Sequence, residues 1–396
     1  MALVALALAA GGATGQEPGS EMVISSDPAL GRAAAALLPD LAERSGLALR
    51  EPVRLERRSR EQLVSYLRAK LDEELPVDEA EGVVESYALL GLLPPDLDLR
   101  ALLLSLYTEQ VAGFYEPDST ALFVMDDQPA AQLQGLLVHE LVHAVQDQTA
   151  DLDALTARRV GNDRATAAQA AIEGHATLVM LEYMTEQITG SRVDLSSIPD
   201  FAAQVRPALE AVRGQFPELA SAPRVIQESL LFPYIEGAGF VQALWREGER
   251  VAPFGPHLPL STEEVLFRQD GDEPVELSLL VTGGRVVHDD VLGCLELGVL
   301  LEEHLGPGHA ELARGWGGDR YALVEADGGG RGLIWYVLWD DTPSRDRFAD
   351  GMEDALDDLG AAATLDRVTV GGHPAVLVRI GDVEDVTAEA RVSGGG

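Results

Sequence analysis

Apolar positions change their rhythm about two thirds of the way along the chain. Up to about residue 265 they recur mostly at helical spacing, with leucine and alanine dominant and proline or glycine breaks between segments. The amphipathic stretch Arg60 to Leu71 and a run over residues 97–112 read as helices, and Leu92-Leu93-Pro94-Pro95-Asp96 ends the first block. The pattern then shortens. Gly113-Phe114-Tyr115, a turn over Glu116 to Thr120, and Ala121 to Met125 together read as a β-hairpin. After a polar link from Asp126 to Pro129 comes an apolar helix with two histidines, and another helix runs from about Arg164 to Ile188. Beyond residue 265, glycine, valine and strand-like runs become commoner. Val291 to His304 predicts an apolar helix, Gly332 to Trp339 a buried strand, and Ser344 to Leu359 an acidic helix. Arg367 to Ile380 predicts a hairpin turning at Gly371-Gly372. The expectation is an α+β fold in four stretches. Residues 1–15 stand apart, 16–95 form a helical packing region, 96–265 a mainly helical domain with a short hairpin, and 266–396 a small α+β unit.

One pentapeptide inside the apolar helix changes this picture. Residues 139–143 read His-Glu-Leu-Val-His, flanked and interrupted by Leu136, Leu137, Val138, Leu141 and Val142. At about 100° per residue the two imidazoles stand one turn apart on one face, where both can reach a single metal ion. Glu140 follows the first ligand, placed to touch a water on that metal instead of the metal itself. A chance match would usually fall on a polar surface. Here three ionisable groups sit in a stretch written for burial, and buried polar groups without partners cost several kcal/mol, roughly 2–7 each. The arrangement predicts a zinc site with a glutamate base. On the next helix, small residues surround Glu173 in Ala170-Ala171-Ile172-Glu173-Gly174-His175, which would let that helix pack closely against the first. Glu173 is then the natural third protein ligand, and water would fill the fourth position. His175 competes for the role, but it points about 200° away, so both cannot face the metal. Asp147, one turn beyond His143, is placed either to accept a bond from a ligand histidine or to sit on the helix surface. Tyr234, Tyr183, Arg320 and His257 are candidates to assist an oxyanion, each with an ordinary packing or surface role as the alternative. The hairpin strand just before the histidine helix offers a free edge that can hold an extended peptide, unless it is a plain structural hairpin.

Charge and composition narrow the partners. With 29 basic and 66 acidic residues the net charge is −37, and Lys70 is the single lysine. So acidic a surface argues against nucleic acid as a partner and mildly favours neutral or basic peptides, although a solvated acidic surface with no specific partner is the plainer reading. The run Met1 to Ala10, followed by small residues to Gly15, is similar to the apolar core of a secretory signal without its usual basic start, so export is expected. It is too short to span a bilayer, and no later segment reaches that length without charges. Cys294 is the sole cysteine, which rules out an intramolecular disulfide, and its apolar surroundings predict a buried hydrophobe. His288, His304, His309 and His373 show no ligand spacing.

Together the two helices resemble the gluzincin class of metallopeptidases, and Glu173-Gly174-His175-Ala176 is similar to the Glu-Gly-x-Ala phrase of its aminopeptidase branch. Further phrases resemble a group of poorly characterised bacterial zinc peptidases. They are Gly113-Phe114-Tyr115 with Pro117, His139 through Gln148, Leu231-Phe232-Pro233-Tyr234 with Gly237, Pro259 through Val265, and Gly315 through Tyr321. The chain departs from that group at His175, where an acidic residue is usual, and at Leu266-Phe267-Arg268, where a longer His-Pro phrase usually stands. The resemblance implies a zincin-like catalytic domain, Zn2+ held by His139, His143 and Glu173, Glu140 as general base, and a peptide or protein substrate. Its rival is a non-enzymatic binding module on the same scaffold.

Overall fold

The computed structural model describes residues 20–393, except 200–201, 205, 208–213, 215, 247–249, 269–272 and 360–361. The run Met1 to Ala10, read above as an export signal, lies outside the described residues. The architecture is α+β. A four-stranded sheet has the order β1-β2-β4-β3, with β1 at Val23–Ser25, β2 at Val53–Arg58, β3 at Gly113–Glu116 and β4 at Ala121–Met125. β1, β2 and β4 run parallel, while β3 pairs antiparallel with β4 and forms one edge. The expected hairpin is therefore present, but it joins a sheet that begins in the region read as helical. β2 escapes notice because only Val53 and Leu55 point inward, while Arg54 and Glu56 are exposed. β4 is buried along its whole length.

Helices cover this sheet. Pro28–Ser45 starts on Asp27, whose carboxylate accepts the N–H groups of Ala29 and Leu30, and ends on Gly46 at φ 68°. Its buried Leu30, Leu37, Leu38 and Leu41 share one core with the histidine helix, Ala130–Asp147. That helix is buried on every side from Gly135 to Gln146, as an apolar run without a polar face must be. Each of its fully buried leucines contributes about 1.5–3 kcal/mol of transfer free energy.

The helix carrying Glu173 spans Asn162–Thr189 and crosses a third long helix, Arg224–Arg246. Gly174 and Gly237 make the crossing. A Cβ on Gly174 would lie 2.0 Å from the carbonyl carbon of Gly237, and one on Gly237 would lie 2.1 Å from the Ala170 oxygen. Gly174 thus serves contact with Arg224–Arg246 rather than with the histidine helix, contrary to the sequence expectation. Glu173, about 100° round the axis, is the residue that faces the histidines.

The C-terminal unit is a five-stranded antiparallel sheet, ordered β6-β7-β8-β10-β9. Its strands are β6 Gly284–Asp290, β7 Trp316–Ala326, β8 Arg331–Trp339, β9 Ala363–Val370 and β10 His373–Gly381. Helices Gly293–Leu305 and Thr342–Asp358 pack on the Trp335, Val337 and Trp339 face of β8. A two-stranded ribbon, β5 Leu277–Thr282 with β11 Thr387–Val392, covers the Ile334, Tyr336 and Leu338 face. Burial on both faces explains the unbroken apolar run of β8. Cys294 is buried, as its surroundings predict. Among the described residues no helix is long and apolar enough to cross a membrane.

A buried polar node ties this unit to the Glu173 helix. Asp319 on β7 accepts four hydrogen bonds, from the Leu292 and Gly293 N–H groups at 2.9 Å each and from the indoles of Trp316 at 3.0 Å and Trp335 at 2.9 Å. Glu263 accepts the N–H groups of Gly315 and Trp316. Thr262 gives its N–H and hydroxyl to Asp163 in the first turn of Asn162–Thr189, and accepts the Leu295 N–H at 2.9 Å. The phrases Pro259 through Val265 and Gly315 through Tyr321 are thus the two halves of one joint.

Candidate metal centre

The centre is built from two helices with their inner faces together. His139 and His143 stand about 40° apart round their helix axis, with ring centroids 4.7 Å apart. Glu173 reaches them from Asn162–Thr189. Its Oε2 lies 3.0 Å from His139 Nε2 and 3.3 Å from His143 Nε2, and the two Nε2 atoms are 3.1 Å apart. All three side chains are buried, and they are the group whose donor atoms can close on one ion among the described residues. A tetrahedral ion with bonds of about 2.0–2.1 Å sets its ligand atoms about 3.3–3.4 Å apart. The observed edges form one slightly compressed face of such a tetrahedron. Two imidazoles and a carboxylate are also a donor set that suits a borderline divalent cation.

The surrounding contacts explain the electrostatics. Burial alone would raise the Glu173 carboxyl, but the His143 and His139 imidazoles beside it hold it well below the usual carboxylate range. Its other oxygen accepts from Gln169 Nε2 at 2.8 Å. Burial pushes His139 down. For His143 burial is the largest single effect and acts downward, but the Glu173 and Glu140 carboxylates together with Gln146 outweigh it and raise it. His139 Nδ1 is buried and meets no protein partner, while His143 Nδ1 lies 2.8 Å from Gln146 Oε1.

Glu140, next to His139, is also buried, and burial pushes its carboxyl up to about 8. Its Oε2 accepts the Tyr115 N–H at 3.0 Å. The edge strand β3 therefore spends that N–H on Glu140 instead of leaving it free for a peptide. Tyr115 also donates its hydroxyl to Asp147 at 2.9 Å. Asp147 accordingly braces the strand, and Gln146 is the residue that meets His143.

His175 faces away from the cluster, as its angle on the helix requires. Its Nδ1 lies 3.0 Å from Gln146 Nε2 and its Nε2 lies 3.1 Å from the Ser45 carbonyl. Burial pushes it down to about 3, so it is neutral. Of the four candidates for assisting an oxyanion, Tyr234 has its ring centroid 6.2 Å from that of His139. Tyr183 accepts from Gln134 at 3.1 Å, three turns further along its helix. Arg320 pairs with Asp289 on the C-terminal sheet, and His257 is exposed in a short turn. His288 is buried between Glu79 at 3.1 Å and the Tyr321 hydroxyl at 3.2 Å, a packing role.

A cavity of about 280 Å³ opens onto the cluster, lined by Tyr66, Tyr107, Tyr115, His143, Gln169 and Glu173. A larger cleft of about 1370 Å³ adjoins it through Lys70, Glu74, Tyr107 and Asp153. A separate groove of about 960 Å³ between Arg68 and Leu104 contains none of the donors.

Three residues of this site were not singled out in the sequence: Gln146, Gln169 and Tyr115 through its N–H. Gln169 and Gln146 each stand three or four residues from a proposed ligand, on its face of the helix, and that spacing was the available signal. A family described as "Domain of unknown function (DUF8575)" matches residues 280–390, which is the C-terminal unit and leaves His139, His143 and Glu173 outside the match. No curated protein and no solved structure matches the chain.

Proposed function

We propose that the chain is a zinc-dependent hydrolase of peptide bonds, with His139, His143 and Glu173 as metal ligands and Glu140 as general base. The observation that carries this reading is the closure of three buried donors on one point, 3.0–3.3 Å apart, beside a fourth buried carboxylate and against an open cavity. When bound, zinc supplies Lewis-acid polarisation of the scissile carbonyl and a water of pKa about 7.

The protein groups divide the remaining work. The Tyr115 N–H pins one oxygen of Glu140, so proton transfer falls to the other. With a cation in the cluster favouring its ionised form, that oxygen would take a proton from the attacking water and pass it to the leaving amine, and no covalent intermediate with the protein is required. Glu173 stays ionised and balances part of the metal charge. Of the four candidates for assisting the developing oxyanion, Tyr234 is the one whose ring stands beside a ligand of this set, 6.2 Å from His139 between centroids, and its phenol would take that role. Around the wide cleft, Glu73, Glu74, Asp118, Asp147, Asp151 and Asp153 outnumber Lys70, Arg158 and Arg159. This balance favours peptides with neutral or positive side chains. The apolar N-terminal run supports an exported enzyme that meets its substrates outside the cytoplasm.

A peptide-library digestion with wild-type protein and Glu140→Gln, both loaded with zinc, tests the reading. Cleavage by the wild type alone, with equal metal content in both, is the expected result. Equal cleavage by both removes Glu140 from the mechanism. A wild type that holds zinc yet cleaves nothing favours a binding module on the same scaffold.

A further inference from the structure

His143 has an orientation problem that the ligand set alone does not solve. A neutral imidazole carries its proton on either nitrogen, and only the Nδ1–H form presents a lone pair at Nε2, the atom that faces His139 and Glu173.

The hydrogen-bond inventory around Gln146 fixes the choice. One amide atom of Gln146 lies 3.0 Å from the Ile172 carbonyl oxygen. A backbone carbonyl only accepts, so that atom is the amide nitrogen, and the amide oxygen therefore lies 2.8 Å from His143 Nδ1. An amide oxygen only accepts as well, so His143 carries its proton on Nδ1. The second hydrogen of the Gln146 nitrogen points at His175 Nδ1, 3.0 Å away, which must offer a lone pair. With its lone pair at Nδ1, the His175 ring carries its proton on Nε2 and donates it to the Ser45 carbonyl at 3.1 Å. Ser45 closes helix Pro28–Ser45, where carbonyls lack partners within the helix. Reversing any link sets two donors or two acceptors face to face. The His175 ring is fixed edge-on by Trp245 and Phe254, at centroid distances of 5.9 and 6.2 Å.

We infer that Gln146 and His175 are positioning residues, a relay from the end of the N-terminal helix that holds His143 in the tautomer able to bind a metal. This rests on the ligand set proposed above and adds to it a direct link between helix Pro28–Ser45 and the metal site. Gln146 is the dominant member, because it touches the ligand. His175 orients Gln146 and shares that duty with the Ile172 carbonyl.

The test uses full-length protein, zinc, and a competing chelator to read affinity. Gln146→Leu is expected to weaken zinc binding about 10–100-fold, the usual cost of losing a partner of a ligand histidine. His175→Phe is expected to weaken it less, and His175→Gln, which restores an acceptor and a donor, less still. Near-UV circular dichroism of the chelated variants checks that the fold persists. Zinc affinity unchanged in a folded Gln146→Leu protein would overturn the inference. Nitrogen-15 spectra of histidine-labelled, metal-free wild type decide the matter even where a variant fails to fold. A proton on His143 Nδ1 supports the relay, and a ring protonated at Nε2 alone overturns it. If wild type binds no zinc, the function proposed above falls, while the tautomer spectrum still judges the relay.

Discussion

Gly174→Ala adds one methyl group at the most crowded point of the helical layer. The new Cβ would stand 2.0 Å from the Gly237 carbonyl carbon, 2.3 Å from its oxygen and 2.5 Å from the Ala238 nitrogen. These are backbone atoms, so no side chain can turn aside, and the two helices must part by more than 1 Å (about 1.4 Å to reach ordinary contact). Overpacking of this kind costs typically about 1–3 kcal/mol, and rigid neighbours on both sides place this case at the upper end. Alanine returns about 1 kcal/mol of helix propensity. The net loss is therefore about 2 kcal/mol. At an unfolding entropy of about 2.1 cal/mol/K per residue, that lowers the Tm by only about 2–3 °C if the chain unfolds as one unit. Glu173 is the adjacent residue, so the larger signal should be in metal binding. A shift of this size in the third donor is expected to weaken zinc affinity at least about 10-fold. Differential scanning calorimetry of the chelated protein reads the first quantity and chelator competition the second. A variant that melts higher than wild type and binds zinc equally well would refute the backbone contact, since propensity alone would then have acted.

Other consequences are open to measurement. Asp319→Ala leaves two backbone N–H groups and two indoles without their acceptor, so urea unfolding should show a loss on the order of 4 kcal/mol or more; an unchanged midpoint would contradict the role of this node. Burial pushes Glu296 from the usual 4.5 up to about 7, with the Tyr87 hydroxyl opposing. Its folded form holds a proton to higher pH than its unfolded form. The stabilisation is therefore complete below pH 4.5 and is lost as pH rises through 7, up to about 3 kcal/mol. Between pH 5 and 8 the wild type should lose stability relative to Glu296→Gln, and parallel curves would contradict this. Tyr234→Phe should lower kcat on the order of 10–100-fold with zinc affinity unchanged, whereas an unchanged kcat would remove Tyr234 from the mechanism.

The long elements were legible in sequence because a single pattern dominated each. The buried histidine helix, the Glu173 helix, the hairpin and the apolar β8 all appear within a few residues of their expected places. β2 was not legible: its two inward residues, among four charged ones, give too weak an alternation. β5, β6, β7 and β11 were missed for a related reason, since their apolar positions are broken by charges or glycines, and β5 and β11 pair with each other from opposite ends of the unit. At the centre, helical spacing brought His139 and His143 to one face, and it turned His175 away from Glu173. It did not reveal that Gly174 meets Gly237, because a glycine states only that something approaches closely, not what. Nor did it favour Gln146 over Asp147 as the partner of His143, because both lie one turn along the same face. The strand bearing Tyr115 decides that choice by claiming Asp147.

The measurement that bears most directly on the central claim is the metal content of purified full-length protein, wild type beside Glu173→Ala, prepared without chelator and after zinc reloading. About one zinc per chain in the wild type, lost or sharply weakened in a folded variant, is the predicted result. Folded wild type that takes up no zinc would contradict it, and the hydrolase reading with it.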